Sequence, residues 1–312
     1  MKVLEFSPLK LKLAALGLAT MFSLALGELA ARVLLQGTLS APKGDSFLRY
    51  QYDQKLGWFP VANSTYQVSG CRTITATHNS DGFRGPEKTP AGQPAILFLG
   101  DSFVWGYDVE AAERFTEKLQ KSHPEWPIYN LGVCGYGTDQ ELLLLQEHFD
   151  RFQPAVVFLV FCSDNDHDDN AINLHEGGYY KPYYCLDGAT VKLCGVPVPR
   201  SERVFGAEHK ILCASYLVRL MVRAYYHLMG ARPIRSTDPT GELILAMKTF
   251  VNNKGALLVA GVEGGPHVAL KNFLETCSIP YVDLDNRAAI SLSLFWSTLD
   301  SRRPQSSRRA HR

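Results

Sequence analysis

Hydrophobic residues fall along the chain in three kinds of run. Leu13 to Gly27 is uncharged and mostly apolar. Ala95-Ile-Leu-Phe-Leu99 and Ala155-Val-Val-Phe-Leu-Val-Phe161 are shorter and unbroken, the pattern of strands covered on both faces of a parallel sheet. Between Asp139 and Phe152 the apolar positions Leu142, Leu145, Phe149 and Phe152 recur at helical spacing. Thr138 and Glu141 predict a capping box at the start of that helix, and Pro154 predicts its stop. A helix over 110–122 and a short strand over 128–131 fill the interval between the two apolar strands. Helices over 208–228 and 240–252 and strands over 256–262 and 281–284 follow. Five strands alternating with helices predict an α/β fold, a three-layer α/β/α sandwich of flavodoxin-like kind around a parallel five-stranded sheet.

The remaining segments are irregular. Residues 37–94 are rich in Gly, Pro, Ser, Thr and Asn and read as a lead-in with short strands. Residues 162–203 are loop-like, with a hairpin expected about Asp187-Gly188. The stretch 291–312 is Ser- and Arg-rich without periodicity and reads as a disordered tail. The expected organisation is an N-terminal membrane or signal segment over 1–36, the lead-in over 37–94, a catalytic-size domain over 95–290 and the tail.

Lys2, Lys10 and Lys12 precede the first apolar run and hold that end in the cytoplasm. The run is shorter than the roughly 20 residues that span a bilayer, but Glu28 and Arg32, four apart, can pair at the interface and let the helix continue through Leu35. An uncleaved anchor is the expectation. The competing reading is a secretory signal, with Ala25 and Gly27 as small residues before a cut. Either way the rest of the chain lies outside the cytoplasm, in the periplasm for the anchored form.

Charge adds little, since 32 basic and 31 acidic residues give no global field to attract nucleic acid. Seven cysteines follow no metal-ligand spacing, so neither zinc nor another metal or cofactor is expected. Cys185 and Cys194 enclose the shortest loop in which an oxidising compartment could close a disulfide. Cys134 and Cys162 read as small buried hydrophobes.

The candidate chemistry begins at Gly100-Asp101-Ser102, after a strand and before a helix, where an open α/β sheet places its ligands. Three features stand at the ends of successive strands: GDSFVWGYDV at 100–109, NLGVCGYGTDQ at 130–140 and CSDND at 162–166. Together they resemble blocks I, II and III of the SGNH/GDSL hydrolases. LGWFPVANSTY at 56–66 and NSDGFRG at 79–85 resemble the upstream segment of that family's membrane-anchored bacterial members. The resemblance extends to about residue 285. It implies Ser102 as nucleophile, with an oxyanion hole from the Ser102 and Gly135 backbone N–H groups and the Asn165 side-chain amide. Glycine at 135 allows close backbone approach, and one oxyanion donor is worth about 3–4 kcal/mol of transition-state stabilisation. The implied substrate is a small ester or an acylated carbohydrate.

A serine nucleophile also needs a histidine and an orienting carboxylate. The family supplies both in a C-terminal motif resembling D-G-H-x-N-x-x-G-H, which this sequence lacks. Beyond the last strand stand Asp283, Asp285, Asp300 and His311. A shifted reading frame accounts for the gap: Arg302-Arg303-Pro304 encoded CGA CGG CCA, read one base later, gives Asp-Gly-His. Arg308-Arg309-Ala310-His311 shifted the same way gives Gly-Gly-His, with the two histidines six positions apart. The expectation is a frameshift after about residue 286; the alternative is a true tail on a degenerate enzyme. His267 reads as a solvated loop residue, and the acids around His167 as a solvated turn. Three readings follow: a serine ester hydrolase, a polysaccharide O-acyltransferase using the same site, and a membrane-tethered binding protein that has lost its base.

Overall fold

The computed structural model describes residues 7–39, 50–87, 94–175, 178–188, 190–265 and 267–285. They form two compact units, one of the described residues up to 39 with Arg200–Ala231 and the other of 50–199 with 232–285.

The first unit opens with helix Pro8–Leu35 (α1), which is long and apolar enough to cross a membrane. The second unit begins with two antiparallel hairpins, Tyr50–Asp53 (β1) with Gly57–Pro60 (β2) and Ser64–Ser69 (β3) with Thr73–His78 (β4). The lead-in is therefore more regular than its Gly/Pro/Ser composition predicts. Trp58, Val68, Ile74 and Ala76 are buried, and this alternation fixes which face of each hairpin turns inward.

Next come Ala95–Leu99 (β5), Ser102–Trp105 (α2), Phe115–Ser122 (α3), Ile128–Asn130 (β6), Thr138–Phe152 (α4), Pro154–Cys162 (β7) and Asp166–Asn170 (α5). A disulfide-closed hairpin of Tyr183–Asp187 (β8) and Thr190–Cys194 (β9) follows, joined by Cys185–Cys194. Glu202–Glu208 (α6) and Tyr216–Met229 (α7) complete the first unit. Thr240–Asn253 (α8), Leu257–Glu263 (β10), Val268–Thr276 (α9) and Tyr281–Asp283 (β11) complete the second.

The main sheet has the order β11-β10-β7-β5-β6, all parallel. This is the expected doubly wound α/β arrangement. β5 and β7 are central and almost wholly buried, which is why their sequences are unbroken apolar runs. Ile96, Phe98, Val156, Phe158 and Val160 pack together with Leu119 of α3. Phe149 of α4 meets Phe250 of α8 edge to face at 5.5 Å.

Three local expectations change. The helix over 110–122 is broken: Glu110 and Glu113 form a capping box around a single turn, and Arg114 leaves helical geometry. The buried Arg114 guanidinium donates to Arg84 O and pairs with Glu117. The capping box of α4 is not formed, because its cap is Gly137 and Thr138 lies inside the helix. Glu141 is buried instead of reaching back. The helix over 208–228 begins only at Tyr216 (α7), since α6 has ended at Glu208 and Ser215 caps α7 by accepting from Val218 N. The tail, with Asp300 and His311, lies outside the described residues.

Candidate functional site

β5 hands the chain to the site through Gly100, whose φ of +157° suits glycine and where a Cβ would lie 2.3 Å from Val104 Cγ2. Asp101 then caps α2, its Oδ1 accepting from Phe103 N at 2.9 Å. Ser102 is the first residue of that one-turn helix and is half-buried. The lead-in braces the same turn: the buried Arg84 guanidinium donates to the carbonyls of Trp105, Gly106 and Val109, and Trp105 Nε1 meets His78 Nε2 at 3.2 Å. The NSDGFRG segment thus acts as a support for α2, with Asn79 Oδ1 fixing its own turn by accepting from Asp81 N and Phe83 N.

The segment after β6 lies directly on α2. Leu131 N donates to Phe98 O and Val133 N to Gly100 O. A Cβ on Gly132 would sit 2.4 Å from Trp105 N, so only glycine lets the two backbones approach this closely. Asn130 Nδ2 donates to Val104 O at 2.6 Å. Cys134 O accepts from Trp58 Nε1 and Tyr50 Oη, which holds the loop from its other side. Gly135 has φ +77°, and the His175 ring occupies the space a side chain would need, with Nε2 2.9 Å from the Cβ position.

Asn165 follows β7. Its Nδ2 lies 3.3 Å from Asp101 Oδ2 and 3.1 Å from Asp169 Oδ2. The structure thus joins Asn165 to the residue preceding Ser102. Gly135 stands on the loop that packs against α2, and its own close neighbour is His175.

Of the acids around His167, Asp164 and Asp168 are exposed as a solvated turn would have them, but Asp166 and Asp169 are buried, as is Asn170. These buried residues belong to α5, packed inward, with Asp166 Oδ2 accepting from Cys162 N at 2.8 Å. Asp101, Asp139 and Glu141 are buried as well. Burial raises the Asp101 carboxyl and lifts Asp139 to about 6, although Lys181 pairs with Asp139 and opposes the rise. Burial and the neighbouring carboxylates push Glu141 and Asp166 well above the usual range. Lys181, wholly buried, also donates to the Asp169 and Ile172 carbonyls. No sequence signal marked Lys181 or His175, because both lie in the irregular stretch 162–203, where no periodicity indicates what is inside. Cys134 and Cys162 are buried as expected, and burial pushes both thiols up.

His267 is not a solvated loop residue. It is buried at the end of β10, with Nδ1 2.9 Å from Gly264 O and Nε2 3.6 Å from Asp283 Oδ1. His267, Asp283 and Asp285 hold ligand-type atoms within 4.8 Å of one another and are the residues that could approach a cation. Their atoms already have partners: Lys271 pairs with Asp283, and Asp285 accepts from Gly264 N. His167 pairs with Asp238 at 2.7 Å, which raises its pKa.

Ser102 also lines a cleft of about 420 Å³ with Phe103, Tyr107, Val109, Arg114 and Phe115. Phe103, Tyr107 and Phe115 are exposed, so its mouth is aromatic.

No family model and no curated protein matches the chain. Solved structures do. The SGNH-hydrolase family esterase AlinE4 is similar at 12% identity over 68% of this chain and 98% of that one, with a TM-score of 0.36. A member of the lipolytic protein G-D-S-L family from Veillonella parvula is similar at 13% identity over 66% and 83%, with a TM-score of 0.33. The psychrotrophic esterase EstA from Pseudoalteromonas sp. is similar at 12% identity over 61% and 79%, with a TM-score of 0.33.

Proposed function

We propose that the chain is a serine ester hydrolase of the SGNH/GDSL type, tethered by α1 with its α/β unit on the periplasmic side. The observation that carries this reading is the bond between Asn165 and Asp101, which joins the ends of β7 and β5 beside Ser102. Ser102 Oγ attacks the carbonyl carbon of a small ester or an acylated carbohydrate. The oxyanion is held by the Ser102 and Gly135 N–H groups and the Asn165 amide. The alcohol leaves with a proton, and water then attacks the acyl-serine, releasing the acid and restoring the hydroxyl. A sugar hydroxyl in place of that water would make the same site an O-acyltransferase.

The base is the open element. Among the described histidines, His267 contacts Gly264 and Asp283, His167 pairs with Asp238, His175 lies against Gly135, and His78 meets Trp105. The frame-restored tail would supply Asp-Gly-His. The chain as written should therefore hydrolyse 4-nitrophenyl acetate little or not at all, and the frame-restored chain should hydrolyse it. Ser102→Ala in the restored chain should abolish that activity; persistence would remove Ser102 from the nucleophile role. A second reading, a tethered binding protein that has lost catalysis, is favoured by the commitment of the Asn165 amide to two carboxylates. A restored chain that stays inactive supports it.

A further inference from the structure

α7 leaves an apolar stripe uncovered. A helix on a globular surface buries its apolar stripe and leaves its cations in water. Here Arg219 and Arg223, four residues apart, turn back onto the protein: Arg219 donates to Cys213 O and Leu39 O, and Arg223 to Thr38 O at 2.7 Å. Val222 is buried on that side. Met221, Tyr225, Leu228 and Met229, spaced i, i+4, i+7 and i+8, are exposed, Leu228 at 72% and Met229 at 74%. The turn before α7 adds Ile211 at 91% and Leu212 at 53%.

The start of this helix is fixed to α1. Glu28 accepts from Ser215 Oγ at 2.7 Å and from the backbone N–H groups of Tyr216 and Leu217 at 3.0 Å, the free donors of the first turn of α7. Arg32 donates to Ala214 O at 3.0 Å, and a Leu217 methyl group lies 3.5 Å from the Cβ position of Gly27. Glu28 stands directly after the uncharged run Leu13–Gly27. At ~1.5 Å per residue that run extends about 22 Å, short of a hydrocarbon core of about 30 Å. Glu28 therefore lies no farther out than the outer boundary of the bilayer, and the start of α7 lies there with it.

We infer that α7 and the turn before it rest in the outer interfacial layer of the bilayer that α1 crosses, with Ile211, Leu212, Met221, Tyr225, Leu228 and Met229 against lipid. This rests on the anchor reading of α1. Lipid is the occupant because Glu28 and Arg32 of α1 hold the start of α7, and α1 carries its own exposed apolar residues Leu29, Val33 and Leu34 in the same turns. Leucine and methionine with a tyrosine also suit the headgroup boundary. The consequence is a two-point attachment of the unit that α1, α6 and α7 form: a spanning helix alone leaves that unit free to rotate about the helix axis, whereas a second helix in the interface fixes it.

The test uses the full chain in vesicles of phosphatidylethanolamine and phosphatidylglycerol, with Cys71 and Cys277 replaced by serine. Single cysteines at Leu18→Cys, Met221→Cys, Leu228→Cys and Asp150→Cys carry an environment-sensitive NBD label, read against lipids bearing nitroxides at shallow and deep acyl positions. The expected result is a blue-shifted Met221 and Leu228 signal quenched most by the shallow nitroxide, a Leu18 signal quenched most by the deep one, and an unquenched Asp150 signal. Deep quenching at Leu18 with a water-like signal at Met221 and Leu228 overturns the inference and leaves the anchor standing. A water-like signal at Leu18 removes the anchor and the inference with it. Blue-shifted labels at Met221 and Leu228 that lipid nitroxides do not quench, and that change with protein density, would mean a second copy covers the face, which also overturns it.

Discussion

Glu141→Gln isolates one consequence of the buried acids. Glu141 is 1% exposed, and both of its carboxyl oxygens lack a hydrogen-bond partner within the described structure. Its pKa is raised by burial and then by Asp166, Asp101, Asp139 and Asp169. In the unfolded chain a glutamate titrates near about 4.3. Between that value and the folded one, the folded state keeps a proton that the unfolded state releases. Stability then falls as pH rises, by up to about 1.4 kcal/mol per pH unit for each such group. Asp166 is raised in the same direction and acts alike, so the two together contribute up to about 2.7 kcal/mol per unit. Glutamine keeps the shape and removes one titration. Its unpaired amide costs about 1–3 kcal/mol at every pH, so the slope is the diagnostic quantity. Urea unfolding in detergent, followed by the fluorescence of the buried Trp58, Trp105 and Trp126, should show the contribution of Glu141 and Asp166 to wild-type stability being lost as pH rises above the unfolded carboxyl range. The variant should lose it less steeply by about 1.4 kcal/mol per unit. Equal slopes would refute the argument.

Other outcomes follow from single contacts. Gly132→Ala puts a methyl 2.4 Å from Trp105 N, so it should cost at least about 1–3 kcal/mol in thermal unfolding and loosen the 131–137 loop. Arg84→Met leaves the Trp105, Gly106 and Val109 carbonyls without their donor; a loss of more than about 3 kcal/mol is expected by denaturant titration, and a loss under about 1 kcal/mol would mean α2 does not depend on the lead-in. A reporter active only in the cytoplasm, fused after residue 95, should be silent, and activity there would reverse the proposed topology.

How much of this was legible depended on the kind of signal each residue leaves. β5 and β7 were readable because central parallel strands must be apolar throughout, and few other structures ask for that. α4 was readable in extent but not at its start: Thr138 and Glu141 have the spacing of a capping box, yet tertiary burial of Glu141 overrode the local preference. The hairpins before β5 were hidden by their polar outer faces. Asp166 and Asp169 were misread as solvated because charge predicts exposure unless a partner is known, and Lys181, which binds Asp139 and the Asp169 carbonyl, comes from a segment without a pattern. Ser102, Gly135 and Asn165 were chosen by resemblance to three sequence blocks. Spacing alone would have left Gly135 a turn residue and Asn165 a cap.

The same acids would bear on catalysis at the proposed site. A negative charge developing at Ser102 would form beside Asp101, with Asp139, Glu141, Asp166 and Asp169 buried behind it. An ionised acid there would oppose that developing charge. Burial and the neighbouring carboxylates raise the Glu141 and Asp166 pKa values and so favour their neutral forms. In the frame-restored chain, hydrolysis of 4-nitrophenyl acetate should rise with pH as the base loses its proton and fall again as the acids ionise. Glu141→Gln should leave the rising limb in place and move the falling limb to higher pH. If the falling limb does not move, the buried acids do not act on the oxyanion, and their role is confined to the stability of the fold.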